Sequence, residues 1–209
     1  MRYIKLFLSV FLISLAIIST LDLLSKVHTP PDEFLALFTL GATRKAELYF
    51  PGDRTDILQN TRISWYVGVY NHMGSVQLVK VVFKILNSSM LGPDSLNNTA
   101  AVRAPFYEEA RLLLANETWV IPVSWSVLNA TRTGNTTSIH SLVFNGETLR
   151  GNVEVQADRG YNFRIVLELW VYDERAGTYS FVWLGNGEEQ HAAWNQLWFN
   201  MTRIALLPA

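Results

Sequence analysis

The sequence predicts a mainly β protein, an antiparallel β-sandwich preceded by one N-terminal transmembrane helix. Three observations carry that reading. Beyond the first two dozen residues the hydrophobic pattern repeats at every second position, as in half-buried strands. Turn-forming pairs such as Asn145-Gly146 and Arg159-Gly160 separate these runs at short spacing. The amino end, in contrast, is one unbroken apolar stretch. A chain of 209 residues, 49% hydrophobic and 17% charged, has the material for one ordinary domain and an appendage, and its composition excludes disorder as the main state.

The apolar stretch runs from Leu6 to Leu21 without charge or proline, after Arg2 and Lys5. Counted from Tyr3 to Leu24 it holds 22 residues. As a helix rising roughly 1.5 Å per residue it reaches about 33 Å, enough to cross a hydrocarbon core of about 30 Å. A cleaved signal peptide is the alternative. That would require a shorter run and a small-x-small site, and Ile17 to Lys26 offers no good one. Residues 1–24 are therefore expected to remain as a signal anchor in the cell membrane. Arg2 and Lys5 favour a cytoplasmic amino terminus, which puts the C-terminal domain outside. Residues 25–33, with Pro30-Pro31, read as a short stiff spacer, and residues 34–209 as the extracytoplasmic domain.

Within that domain Ile63, Trp65, Val67 and Val69 share one face of a strand, and Trp119, Ile121, Val123, Trp125 and Val127 share another. A third run alternates Tyr161, Phe163, Ile165, Leu167, Leu169 and Val171 with Asn162, Arg164 and Glu168 on the opposite face. Further strands are expected at 34–40, 46–50, 77–86, 110–115, 138–144, 153–157, 179–184 and 196–205, with residues 106–114 suiting either a strand or one or two helical turns. Pro51-Gly52-Asp53, Asn71 to Gly74, Ala176-Gly177 and Gly185-Asn186-Gly187 supply the remaining turns. Pro122 cannot donate to a ladder and marks an edge or a bulge.

Asparagine sequons point the same way as the anchor. Asn-x-Ser/Thr occurs six times, at Asn87, Asn97, Asn116, Asn129, Asn135 and Asn200. Chance placement among 14 Asn and 29 Ser plus Thr predicts about two. The excess fits a glycoprotein exposed outside the cytoplasm. Asn87, Asn97, Asn129 and Asn135 fall in the most polar stretches and are expected in loops, whereas Asn116 and Asn200 border expected strands.

Groups that carry chemistry are sparse. A formal net charge of −1 leaves no basic excess to neutralise phosphates, so the sequence argues against nucleic acid as a partner. Without cysteine there is no disulfide framework, thiolate metal site or thiol nucleophile. His28, His72, His140 and His191 stand singly, without the paired spacing of metal or acid–base sites. The adjacent pairs Glu108-Glu109, Asp173-Glu174 and Glu188-Glu189 point to opposite faces if they lie on strands, and have no regular calcium-ligand spacing. The expectation is no catalytic residue, no cofactor and no metal. Seven Trp, eight Tyr and eleven Phe are the unusual quantity. Trp65, Trp119 and Trp125 sit in phase with aliphatic neighbours as core residues. Trp170 and Tyr172 lie on the other face of their strand from Leu169 and Val171, and together with Trp194 and Trp198 they are the candidate contact surface for sugars or a protein partner.

Several segments have a familiar order. Phe38-Thr39-Leu40-Gly41, Lys45-Ala46-Glu47, Tyr49-Phe50-Pro51, Tyr66-Val67-Gly68-Val69-Tyr70-Asn71-His72 and Asn116-Glu117-Thr118-Trp119 together resemble the archaeal membrane proteins of domain-of-unknown-function family 1616. The similarity spans roughly residues 34–202. It implies an archaeal envelope protein with an immunoglobulin-like ectodomain, and it implies no activity. Family members often carry several membrane helices, whereas one is visible here, and Ala42-Thr43 replaces the usual Gly-Pro after Leu-Gly. The function expected is that of a single-pass, N-glycosylated cell-surface protein, a non-catalytic binding or structural module with an envelope protein or glycan as partner. The alternative is an accessory subunit of a membrane enzyme or of an envelope-glycan-processing complex.

Overall fold

Alternating apolar side chains between turn residues give thirteen strands among the residues that the computed structural model describes, 33–185 and 190–204. In chain order they are β1 (Leu35–Leu40), β2 (Ile63–Asn71), β3 (Gln77–Asn87), β4 (Tyr107–Leu113), β5 (Thr118–Thr133), β6 (Thr136–Phe144) and β7 (Glu147–Leu149). They continue as β8 (Val155–Asp158), β9 (Phe163–Asp173), β10 (Thr178–Ser180), β11 (Trp183–Leu184), β12 (Gln190–His191) and β13 (Ala193–Phe199). One antiparallel sheet has the order β1-β2-β5-β6-β7, with β8 also paired to β6. The other runs β4-β3-β9, and β9 carries both β13 and β10 on its far side. β11 and β12 form a small separate ribbon. The expected anchor, the spacer up to Asp32, His28, Glu188-Glu189 and residues 205–209 lie outside the described residues. Among the described residues no helix is long and apolar enough to cross a membrane.

The two sheets bury one face each against the other. Trp65 from β2, Trp125 from β5, Phe83 from β3 and Phe163 from β9 are all fully enclosed. Trp65 and Trp125 meet edge to face with centroids 5.2 Å apart, and Phe199 of β13 lies 5.3 Å from Trp125. The Trp65 indole donates to the Tyr49 carbonyl at 2.6 Å, whereas Trp125 Nε1 is buried with no partner. The period-two faces expected for β2, β5 and β9 are the core faces, except that Tyr161 is exposed in the turn before β9, where Asn162 adopts a positive φ of 61°. Asn145-Gly146 joins β6 to β7 with φ of 48° and 90°, the paired left-handed geometry that matches strand twist in a two-residue hairpin. Pro122 sits in β5 before the segment that pairs with β6, so its missing amide falls on a half-strand bound on one side by β2 alone.

Three expectations need correction, and one open choice is decided. Residues 46–50 form no strand: Arg44 and Leu48 take positive φ, the chain turns tightly from Gly41, and a Cβ on Gly41 would collide with the Glu47 carbonyl. Within residues 106–114, which suit either reading locally, Tyr107–Leu113 form strand β4, because pairing with β3 decides between the two. The expected 179–184 strand divides into β10 and β11 around the buried Phe181. The last strand lies earlier than expected, at Ala193–Phe199, in register with β9.

Candidate functional site

Strand pairing decides which aromatic side chains meet. On the outer face of the β4-β3-β9-β13 sheet, Trp170 stands opposite Lys80, Glu168 opposite Val82 and Trp194, and Arg164 opposite Leu86 and Trp198. Tyr172 stands opposite Tyr179 of β10, their rings edge to face at 5.4 Å. All four candidate contact residues therefore share one face. They do not form one patch. Trp170 and Tyr172 are adjacent on that face and Trp194 is diagonal to Trp170, but Trp198 lies six residues along β9 from Trp170, roughly 20 Å away. Cations cover part of each group: Lys80 Nζ lies 4.6 Å from the Tyr179 ring centre, and the Arg164 guanidinium lies 4.7 Å over Trp198. Trp170, Tyr172 and Trp194 are half-buried, and Trp198 is 37% exposed.

This face is also partly roofed. Residues 88–105 cross it as a strap, and under the strap Lys84 and Glu168 form an ion pair of 2.7 Å with side chains 4% and 0% exposed. Lys84 Nζ also donates to the Ala101 carbonyl at 2.7 Å, while Glu168 Oε1 accepts from the Ala101 amide at 2.7 Å. Glu168 Oε2 additionally accepts from the Trp170 indole at 3.0 Å. Further along, Arg164 donates to the Met90 carbonyl and to Gln196 Oε1, and its burial lowers its pKa from the usual arginine value. Met90 and Ala101 pack on Leu86 and Val166, a second small apolar cluster outside the main core. Near its end the strap is tied down by Arg103, whose guanidinium donates to the carbonyls of Asn152 and Glu154. Sequence reasoning placed Arg164 and Glu168 on the face away from the core but missed that the face is covered. The signal was present: Lys84 and Glu168 are lone opposite charges inside the apolar runs Val81 to Leu86 and Val166 to Val171, which are runs of strands buried on both faces.

A cleft of about 360 Å³ opens beside the strap, lined by Lys80, Lys84, Ala101, Arg103, Glu108 and Trp170. A larger, shallow concavity of about 710 Å³ lies elsewhere, where Arg62, Tyr66, Pro122, Ser124 and Asn145 line the region in which β6 leaves β5. Two of the lone histidines have polar partners nearby: His72 Nδ1 lies 3.0 Å from Asn116 Oδ1, and His140 Nε2 lies 2.8 Å from Thr131 Oγ1. Asp173 Oδ1 accepts the Arg175 and Ala176 amides and so closes a turn. Glu108 pairs with Lys80, and Glu109 accepts from the Tyr107 hydroxyl. Among the described residues no group of three or more His, Asp or Glu side chains is placed to hold a metal.

The sequons occupy mixed settings. Asn135 is exposed in the β5–β6 turn, as expected. Asn129 is exposed but lies within β5, at the bulge opposite Ser141, not in a loop. Asn87 ends β3 and its amide donates to the Gln156 carbonyl at 2.6 Å. The Asn97 amide donates to Asp94, whose carboxyl this bond holds below its usual pKa. Asn116 sits in a turn with φ of 61°, and Asn200 Oδ1 accepts the Asn162 amide. No protein-family model matches the chain, and no curated protein does.

Proposed function

We propose that this protein is a membrane-anchored, N-glycosylated surface module of an archaeal envelope, with an immunoglobulin-like sandwich that works by contact and not by catalysis. The observation that carries the reading is the gathering of Trp170, Tyr172 and Trp194, with Tyr179 beside them, on one sheet face that the core does not use. Rings anchored on strands present large, pre-ordered area at little conformational cost, which suits recognition of a glycan or a protein surface. The apolar N-terminal run and the sequon excess support the anchor and the location outside the membrane. The resemblance to domain-of-unknown-function family 1616 supports the archaeal envelope setting.

The test is binding of the protein to purified envelope proteins and envelope glycans, repeated with Trp194→Ala, Tyr172→Ala and Trp170→Phe in folded protein. Weaker binding with Trp194→Ala or Tyr172→Ala is expected. If neither loses affinity, the contact does not use this face. Turnover of any envelope polymer by the protein alone refutes the non-catalytic reading.

A further inference from the structure

β4 is an edge strand. It pairs with β3 on one side, and among the described residues nothing pairs with its other side. An open strand edge templates pairing with another chain unless something blunts it. The open half of β5 is blunted by Pro122, and β1 is held near β13 by hydrogen bonds between Thr39 and Asn195. β4 contains no proline, and its free edge is flanked by two exposed leucines, Leu112 at 57% and Leu114 at 60%. Its charges are Glu108, Glu109 and Arg111.

Those charges have an order that makes the strand complementary to itself. In an antiparallel pair centred on Ala110, Ala110 faces its own copy, Glu109 faces Arg111, and Arg111 faces Glu109. Opposite charges directly across two strands attract, and two such pairs form at once about the two-fold axis. Shifting the centre to Glu109 or to Arg111 sets like charges face to face, so the Ala110 register is selected against both neighbours. The small Ala110 side chain leaves the axis uncrowded. In the single chain Arg111 holds Glu117 at 2.8 Å in an exposed contact that a cross-strand pair can replace, and Glu109 accepts from the Tyr107 hydroxyl in a half-buried one that a cross-strand pair can extend. We infer that the partner of the β4 edge is a second copy of this chain, joined through antiparallel β4–β4 pairing centred on Ala110 into one continuous sheet. This inference stands apart from whatever the aromatic face contacts.

The chain has no cysteine, so Ala110→Cys would carry its sole thiol. Residues facing across an antiparallel pair have Cα atoms about 4.5–5.5 Å apart, within disulfide range. The full-length Ala110→Cys chain in membranes, treated with a mild oxidant, is expected to give a disulfide dimer, and Thr133→Cys on the exposed β5–β6 hairpin is expected to give none. Adding Glu109→Arg should lower the Ala110→Cys dimer yield at least about five-fold, and combining Glu109→Arg with Arg111→Glu should restore it. No dimer, an adduct with a different protein in its place, equal crosslinking at Thr133→Cys, or a yield that ignores Glu109→Arg would each overturn the inference. Sedimentation of the unmodified full chain in detergent gives an independent reading: a dimer that grows with protein concentration supports the pairing, and a monomer at every concentration overturns it.

Discussion

Replacing Lys84 by Met removes the cation from a carboxylate that is wholly out of water. Glu168 then keeps only the Ala101 amide and the Trp170 indole as donors, at 2.7 and 3.0 Å. A buried charge deprived of its partner costs about 3–5 kcal/mol. Glu168→Leu has a comparable cost, because Lys84 retains the Ala101 carbonyl alone while the Ala101 amide loses its acceptor. The double variant Lys84→Met/Glu168→Leu buries no charge. It leaves the Ala101 amide, the Ala101 carbonyl and the Trp170 indole without these partners, about 1–3 kcal/mol for each that stays out of water, and the single variants already carry the same losses on top of an unpaired charge. The two single losses would sum to roughly 6–10 kcal/mol, so the double variant should fall short of additivity by several kcal/mol. Guanidinium melts of residues 33–209 measure the three losses, and hydrogen exchange at the Ala101 amide reports whether the strap detaches before the sandwich unfolds. Additive losses, or a single-variant loss below about 1 kcal/mol, would show that the pair does not fasten the strap.

Truncating Trp65 or Trp125 to Ala should cost about 3–5 kcal/mol each in the same melts, and losses below roughly 1 kcal/mol at both would mean that their faces are not the core faces. Substitution to Phe separates them: Trp65→Phe orphans the Tyr49 carbonyl and should be the costlier, whereas Trp125→Phe removes an indole N–H that has no partner, and the reverse order would refute that account. Glycopeptide mass spectrometry of the protein from its native membrane should find Asn129 and Asn135 occupied more fully than Asn87, whose amide nitrogen is engaged by Gln156; the opposite ranking would show that the folded environment does not govern modification.

The core was legible because it depends on local periodicity. In β2 and β5 every second residue is apolar, and a strand with one buried face can satisfy that pattern in only one orientation. Turn chemistry was equally readable at Asn145-Gly146, where two consecutive left-handed residues are required. What failed were features decided at a distance. Residues 46–50 have a strand-like composition, but the chain must fold back over Gly41, which no local signal announces. Residues 106–114 suit helix and strand alike, and β3 supplies the pairing that settles it. At the candidate site, sequence assigned Trp170 and Tyr172 to the non-core face and proposed Trp194 and Trp198 beside them. Their division into two groups depends on the β9–β13 register, which a single strand does not encode.

The strap and the aromatic face are not independent. Glu168 accepts from the strap through Ala101 and from the face through Trp170, so one buried carboxylate sets the position of both. A face that recognises partners with rings benefits from rings held in one rotamer, and the indole hydrogen bond to Glu168 provides that restraint. Lys84 Nζ lies 2.7 Å from Glu168 Oε2 beneath the strap and 5.7 Å from the Trp170 ring centre. Loosening the strap would expose Val166 and Leu86 and remove the Ala101 amide that, with the Trp170 indole, holds the Glu168 carboxyl in place. The carboxyl of this ion pair also positions a ring of the proposed contact surface, so Glu168→Gln, which keeps an acceptor for the Trp170 indole, should leave the Trp170 indole N–H chemical shift closer to that of the unaltered protein than Glu168→Leu does, and equal shifts in the two variants would refute the restraint.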